Sequence, residues 1–160
     1  CLRLYLSDDP IGACVSGAIK NIIAIGAGIS DGLKLGDNAK AALISRGIAE
    51  VSRMILALGG KKDTAFGLAG IGDMTLTCSS SHSRNMSFGI RLVNNEKKEE
   101  NDLVEGFYAI KSAYNIAKNL NIDTPIINSI NDVVNNKSDV KDAIVKLLKR
   151  PKKEEFNHLN

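Results

Sequence analysis

The sequence predicts an all-α domain of six or seven helices without internal repeats. Three observations carry this expectation. Apolar residues recur at helical spacing, as in Phe107, Ile110, Tyr114 and Ala117, which would share one inward face. Helix punctuation separates the periodic stretches: Asp9-Pro10, Gly59-Gly60, Ser83, Thr124-Pro125 and Ser138. Strand-like alternation occurs at Leu2-Arg3-Leu4-Tyr5-Leu6, and one strand among helices has nothing to pair with. With 160 residues the chain can bury one core, and 44% apolar content argues against disorder. Aromatics are only 4% and Trp is absent, so that core must be aliphatic.

In chain order, Asp8-Asp9-Pro10 closes the strand-like segment and opens the first helix. From Ile11 to Ser30 the only charge is Lys20, a stretch long enough to raise a membrane span. A central lysine costs about 2.5–3.5 kcal/mol on insertion, and Asn21 lies beside it, so a buried core helix is expected. A Gly/Asp-rich turn, Asp31 to Asp37, leads to a helix from about Asn38 to Leu58, stopped by Gly59-Gly60. Arg46, Glu50 and Arg53 read as its charged, solvated face. Residues 61–85 are irregular, broken by Gly67, Gly70 and Gly72. Ser83 caps a helix to about Val93, and Asn94 to Asp102 reads as a charged surface loop. Helices follow over Phe107–Leu120 and from Thr124-Pro125; Ser138 caps the last, which Arg150-Pro151 stops.

Several function classes are disfavoured. A net charge of +3, with lysines interleaved among acids, gives no one-sided stripe for nucleic acid. Cys1, Cys14 and Cys78 are odd in number and far apart, as incidental thiols of a reducing compartment are. His82 and His158 lack metal-ligand spacing, and no metal is expected. Ile25-Gly26-Ala27-Gly28-Ile29-Ser30-Asp31-Gly32 imitates a dinucleotide fingerprint. Asp31 stands where the third glycine belongs, and no helix begins after it to face a pyrophosphate.

The chemistry-bearing candidates begin with Lys20. On a helical wheel Ala13, Ser16, Gly17, Ala24 and Ala27 flank it, while Ile11, Val15, Ile22, Ile25 and Ile29 lie opposite. An ammonium in a hollowed face could hold a small ligand and pass a proton; equally, it could snorkel to solvent. Asp73, within Gly70-Ile71-Gly72-Asp73-Met74-Thr75-Leu76-Thr77, is its natural partner or else an N-cap. Ser83-Arg84-Asn85 at a helix start offers free N–H groups and a planar guanidinium to a phosphate, or simply a cap and an exposed charge.

In order, Gly17-Ala18-Ile19-Lys20-Asn21, Ile25 to Gly32, Asn38-Ala39-Lys40-Ala41-Ala42-Leu43, Gly72-Asp73-Met74-Thr75-Leu76-Thr77-Cys78, Ser83-Arg84-Asn85 and Val104-Glu105-Gly106 resemble one family. They look like the C-terminal domain of bacterial NAD(P)-dependent glycerol-3-phosphate dehydrogenase, over Tyr5 to about Arg150. The resemblance implies the helical fold shared with the 6-phosphogluconate dehydrogenase C-terminal domain. It implies a remnant strand of a missing Rossmann domain at 1–7, a substrate-binding and dimerisation domain at 8–150, and a tail at 151–160. Lys20 would be the proton donor and acceptor, with Asp73 beside it as a catalytic residue. Asn21, Asp73, Thr77, Ser83, Arg84 and Asn85 would surround dihydroxyacetone phosphate or sn-glycerol 3-phosphate. Arg84, Leu103 and Glu105 would touch NAD(P)H, which the other domain mainly binds. A cytoplasmic homodimer serving phospholipid synthesis, without nucleic acid or membrane span, is implied. Two other readings stay open: a related dehydrogenase of a small acid, and a non-catalytic dimerisation or binding module.

Overall fold

The computed structural model of the chain describes residues 3–80, 82–94, 96 and 105–149. The expected loop 94–102, apart from Asn94 and Glu96, lies outside them, as do Leu103, the proposed stop at 150–151 and the tail. The described residues form seven α-helices and no β-strand. Residues 3–7 precede the first helix without strand pairing, and Leu4, Tyr5 and Leu6 are exposed.

Helix α1, Pro10–Gly32, is the axis of the fold. Asp9 caps it by accepting the Gly12 N–H at 2.9 Å, and Pro10 occupies the first turn, where its missing N–H costs nothing. Around it pack α2 (Asp37–Ala57), α3 (Asp73–Ser79), α4 (Arg84–Val93), α5 (Glu105–Asn119) and α6 (Pro125–Val134); α7 (Val140–Leu148) packs on α6. The helix is long and apolar enough to cross a membrane. Here, however, Asn21 through Ser30 are buried without a break, inside a core of Ile, Val, Met and Ala. The imitation fingerprint at 25–32 is thus continuous helix.

This enclosure corrects the wheel reading. In the first two turns of α1 Ile11 is exposed and Val15 half-buried, while Gly12 and Ser16 are buried. Beside that face the chain closes over Gly12, where a Cβ would overlap Asp9 and Thr64. Of the glycines in α1, Gly17 alone would present a methyl group to open space. Further along, the small residues admit neighbouring helices.

Helix α2 contradicts the solvated-ladder expectation at one position. Arg46 is exposed, but Glu50 is 1% exposed and accepts the N–H groups of Ile126 (2.7 Å) and Ile127 (3.1 Å). It satisfies the first turn of α6, where Thr124 makes no side-chain cap. Arg53 Nε donates to the Asp123 carbonyl at 2.9 Å, so both charges tie α2 to the α5–α6 turn. At the last helix, Asp139 rather than Ser138 is the cap, accepting the Lys141 N–H at 2.8 Å.

Burial dominates the two N–H bonds at Glu50 and pushes its carboxyl from 4.5 up to about 7. The folded state therefore binds a proton more readily than the unfolded chain. The stability this gives is complete below about 4.5 and is lost as pH rises towards 7. Between pH 5 and 7.5 the wild-type chain is expected to lose on the order of 3 kcal/mol, and Glu50→Gln much less. Urea unfolding of both at the two pH values measures this; equal slopes would remove Glu50 as the source. Asp8 and Asp9, whose carboxyls are held low by Lys61 and Thr64 respectively, act only at more acid pH.

Candidate functional site

The site is assembled from one face of α1 and the segment strapped across it. Asp9, besides capping α1, accepts the Lys61 N–H at 2.9 Å and the Thr64 hydroxyl at 2.6 Å. The strap continues through a 3₁₀ turn, Lys62–Phe66, and a π turn, Leu68–Gly72. A Cβ on Gly70 would overlap the Ala65 carbonyl, so glycine is what lets the two turns close on each other. The strap delivers Asp73 at the start of α3, where its carboxylate meets the Lys20 ammonium at 2.5 Å. Asp9 and Lys20 are roughly three turns apart and thus on one face of α1. The strap is fixed to that face at both ends.

Of the two readings of Asp73, the ion pair is the one the structure adopts. Gly72 occupies the cap position, and no side-chain cap bond is made there. Thr77, one turn on, donates its hydroxyl to the Asp73 carbonyl at 2.7 Å, which steadies that turn. The pair keeps contact with solvent, the Lys20 side chain being 23% exposed.

A second cluster joins α1, α4 and α5. Ser83 caps α4 by accepting the Met86 N–H at 3.3 Å. Asn85, in the first turn, donates to Asn21 Oδ1 at 3.0 Å and accepts the Gly106 N–H at 3.0 Å. The Asn21 amide in turn donates to Glu105 Oε2 at 3.1 Å and to the Gly17 carbonyl at 3.3 Å. A Cβ on Gly106 would crowd the Asn21 carbonyl oxygen and Asn85 Oδ1, which accounts for the glycine of Val104-Glu105-Gly106. Glu105 also faces Arg84, with 3.6 Å between carboxylate and guanidinium, both largely exposed.

Thr77, Ser83, Arg84, Asn85 and Glu105 line a cleft of about 270 Å³, together with Leu76, Ser80 and His82. Its volume suits a compact polar ligand. The cleft and the ion pair are linked twice: Thr77 lines the cleft and bonds Asp73, and Asn85 lines it and bonds Asn21, the neighbour of Lys20. Cys78 of α3 is buried, and desolvation pushes its thiol up to about 12, as expected of an inert core thiol.

The family model described as NAD-dependent glycerol-3-phosphate dehydrogenase C-terminus matches residues 9–145. The chain belongs to this family. Glycerol-3-phosphate dehydrogenases [NAD(P)+] of Fusobacterium nucleatum and Staphylococcus aureus are 47% and 46% identical to it over 159 residues, 96% of this chain. The chain spans about half the length of these curated relatives, 48% of each. The crystal structure of glycerol-3-phosphate dehydrogenase from Coxiella burnetii superposes with a TM-score of 0.87 at 41% identity, covering 92% of this chain and 47% of that one. The yeast enzyme, at 24% identity and TM-score 0.77, shares the fold.

Within this member of the glycerol-3-phosphate dehydrogenase family, Lys20, Asp73 and Thr77 meet in one cluster. Asn21, Asn85, Arg84 and Glu105 meet in the other, and Ser83 supports it as a cap. Asn21 lies behind the cleft rather than in its wall. Leu103 falls outside the described residues. Asp9, which anchors the strap, was not read from sequence as more than a helix opener; its Lys61 and Thr64 partners are too distant in sequence to signal themselves.

Proposed function

We propose that this chain is the substrate-binding half of an NAD(P)-dependent dehydrogenase interconverting dihydroxyacetone phosphate and sn-glycerol 3-phosphate. Residues 8–150 are its helical domain and dimer-forming surface, and an upstream Rossmann domain binds most of the cofactor. The enzyme works as a cytoplasmic homodimer. The observation that carries this reading is the Lys20–Asp73 pair set beside a cleft lined by Thr77, Ser83, Arg84 and Asn85.

Each group has a role that its geometry supports. Lys20 donates a proton to the C2 oxygen as the ketone is reduced, and takes it back from the hydroxyl in reverse. An ammonium aimed at growing negative charge stabilises the transition state more than the ketone. Asp73 holds that ammonium in place, and Thr77 steadies Asp73. Ser83, Arg84 and Asn85 receive the phosphoryl group at the start of α4, which orients C2 against Lys20. Arg84 and Glu105, exposed at the mouth of the cleft, have the donors and acceptors to contact a nicotinamide cofactor, and Leu103 joins them in this role. When bound, that cofactor supplies or accepts the hydride at C2.

The test is Arg84→Ala in the full-length protein, assayed by NAD(P)H oxidation. A guanidinium bonded to a phosphate contributes on the order of 1.5–3 kcal/mol. Loss of at least about tenfold in kcat/KM is expected for dihydroxyacetone phosphate, and much less for unphosphorylated dihydroxyacetone. Arg84→Lys should recover only part, because an ammonium lacks the two-pronged geometry. Equal fractional losses for both ketones would remove Arg84 from phosphate binding. Failure of wild-type protein to reduce dihydroxyacetone phosphate would overturn the function itself.

A further inference from the structure

The cations of the site are not equally available to an anionic ligand. Lys20 is matched by Asp73 at 2.5 Å, and Arg84 by Glu105 at 3.6 Å. With those pairs formed, the formal charges of these two cations are balanced among the described residues. Among the described residues one further ionisable side chain lines the cleft: His82, adjoining the cap residue of α4. Its position is set by the backbone. The His82 N–H donates to Ser80 Oγ at 3.2 Å and the Ser83 N–H to the Ser80 carbonyl at 3.0 Å, forming a tight turn between α3 and α4. The His82 ring makes no hydrogen bond among the described residues and is exposed to the cleft's solvent.

We propose that His82 is an additional ligand of the substrate's phosphoryl group, and that its protonation makes substrate binding pH-dependent. The inference rests on the reading of the cleft as the phosphate site. As an imidazolium, His82 supplies, among the described residues, the one positive charge lining the cleft without a carboxylate partner. As a neutral ring, it keeps a single N–H donor and loses the charge term. Among the described residues, the charged groups that line the cleft with it are Arg84 from α4 and Glu105 from α5; Leu76 and Thr77 of α3 and Ser80 after it are uncharged. Imidazole is the side chain that ordinarily changes charge between about pH 5 and 8. A phosphate monoester, with its second ionisation near 6, is already mostly dianionic in the upper part of that range.

Full-length wild-type protein, His82→Gln and His82→Arg are titrated with sn-glycerol 3-phosphate by calorimetry at pH 6.5 and 8.5. Wild-type affinity is expected to fall roughly three- to tenfold from the lower to the higher pH. His82→Gln should bind several-fold more weakly than wild type at pH 6.5, with little change at 8.5. His82→Arg should bind tightly at both, because its charge does not titrate. A merely structural histidine would give weaker binding in both variants with the wild-type pH slope intact, which overturns the proposal. So does wild-type behaviour in His82→Gln; if Arg84→Ala still weakens binding, the phosphate site itself stands. Absence of binding by all three proteins would overturn the site and His82's place in it together.

Discussion

Replacing Lys20 by methionine in the full-length protein is expected to lower kcat for dihydroxyacetone phosphate by roughly 10²–10⁴-fold, the range for loss of a general acid. Methionine keeps most of the stem's packing in α1 and removes the proton donor. Asp73 loses its partner, but its side chain is 37% exposed and stays hydrated, so the fold should survive. The Thr77 bond to the Asp73 backbone persists. NADH affinity should be nearly unchanged, because Lys20 faces the strap and Asp73 rather than Arg84 and Glu105. A deuterated cofactor checks that hydride transfer limits the rate in the variant. Retention of more than about a third of wild-type kcat, with chemistry limiting, would exclude Lys20 as the acid.

What the sequence made legible is local. Asp9-Pro10 and Ser83 mark helix starts because a cap and its N–H partners lie within three residues. Lys20 stands out because a single charge interrupts an otherwise apolar stretch, and Asp73 because Gly70 and Gly72 lead directly into it. What stayed hidden depends on chain segments meeting from far apart. Glu50 looks like a surface residue by its spacing, since nothing in α2 tells that the bare N-terminus of α6 arrives 76 positions later. Asn21, Asn85 and Glu105 are ordinary polar residues singly; only the crossing of α1, α4 and α5 makes them one chain of bonds. The wheel of α1 did not show what covers each side, because the strap closes over its first turns and neighbouring helices pack on the small residues further along. Ser138 and Asp139 are adjacent candidates for one cap, and local preference does not choose between them.

The glycines that imitate a nucleotide fingerprint lead to the second large effect: Gly28→Ala is expected to destabilise the chain by about 3 kcal/mol or more. At this point α1 and α4 are in backbone contact. A Cβ on Gly28 would overlap the Met86 carbonyl oxygen, and one on Gly89 the Ile25 carbonyl oxygen. Each helix thus uses a glycine to admit the other's backbone. Alanine favours an isolated helix by up to about 1 kcal/mol over glycine, so propensity alone predicts stabilisation. Overpacking ordinarily costs about 1–3 kcal/mol and more when no flexible side chain can yield, and here the obstacle is main chain. The helices must separate, which also moves Arg84 and Asn85 at the start of α4 and loosens the Asn85–Asn21 bond. Gly17→Ala is the matched control on the same helix, because its Cβ meets nothing within 4 Å. It should be neutral, or stabilising by a few tenths to about 1 kcal/mol. Urea unfolding of wild type, Gly28→Ala, Gly89→Ala and Gly17→Ala gives the order directly. Should Gly28→Ala and Gly89→Ala unfold no more readily than Gly17→Ala, the α1–α4 crossing is not the contact that these two glycines serve.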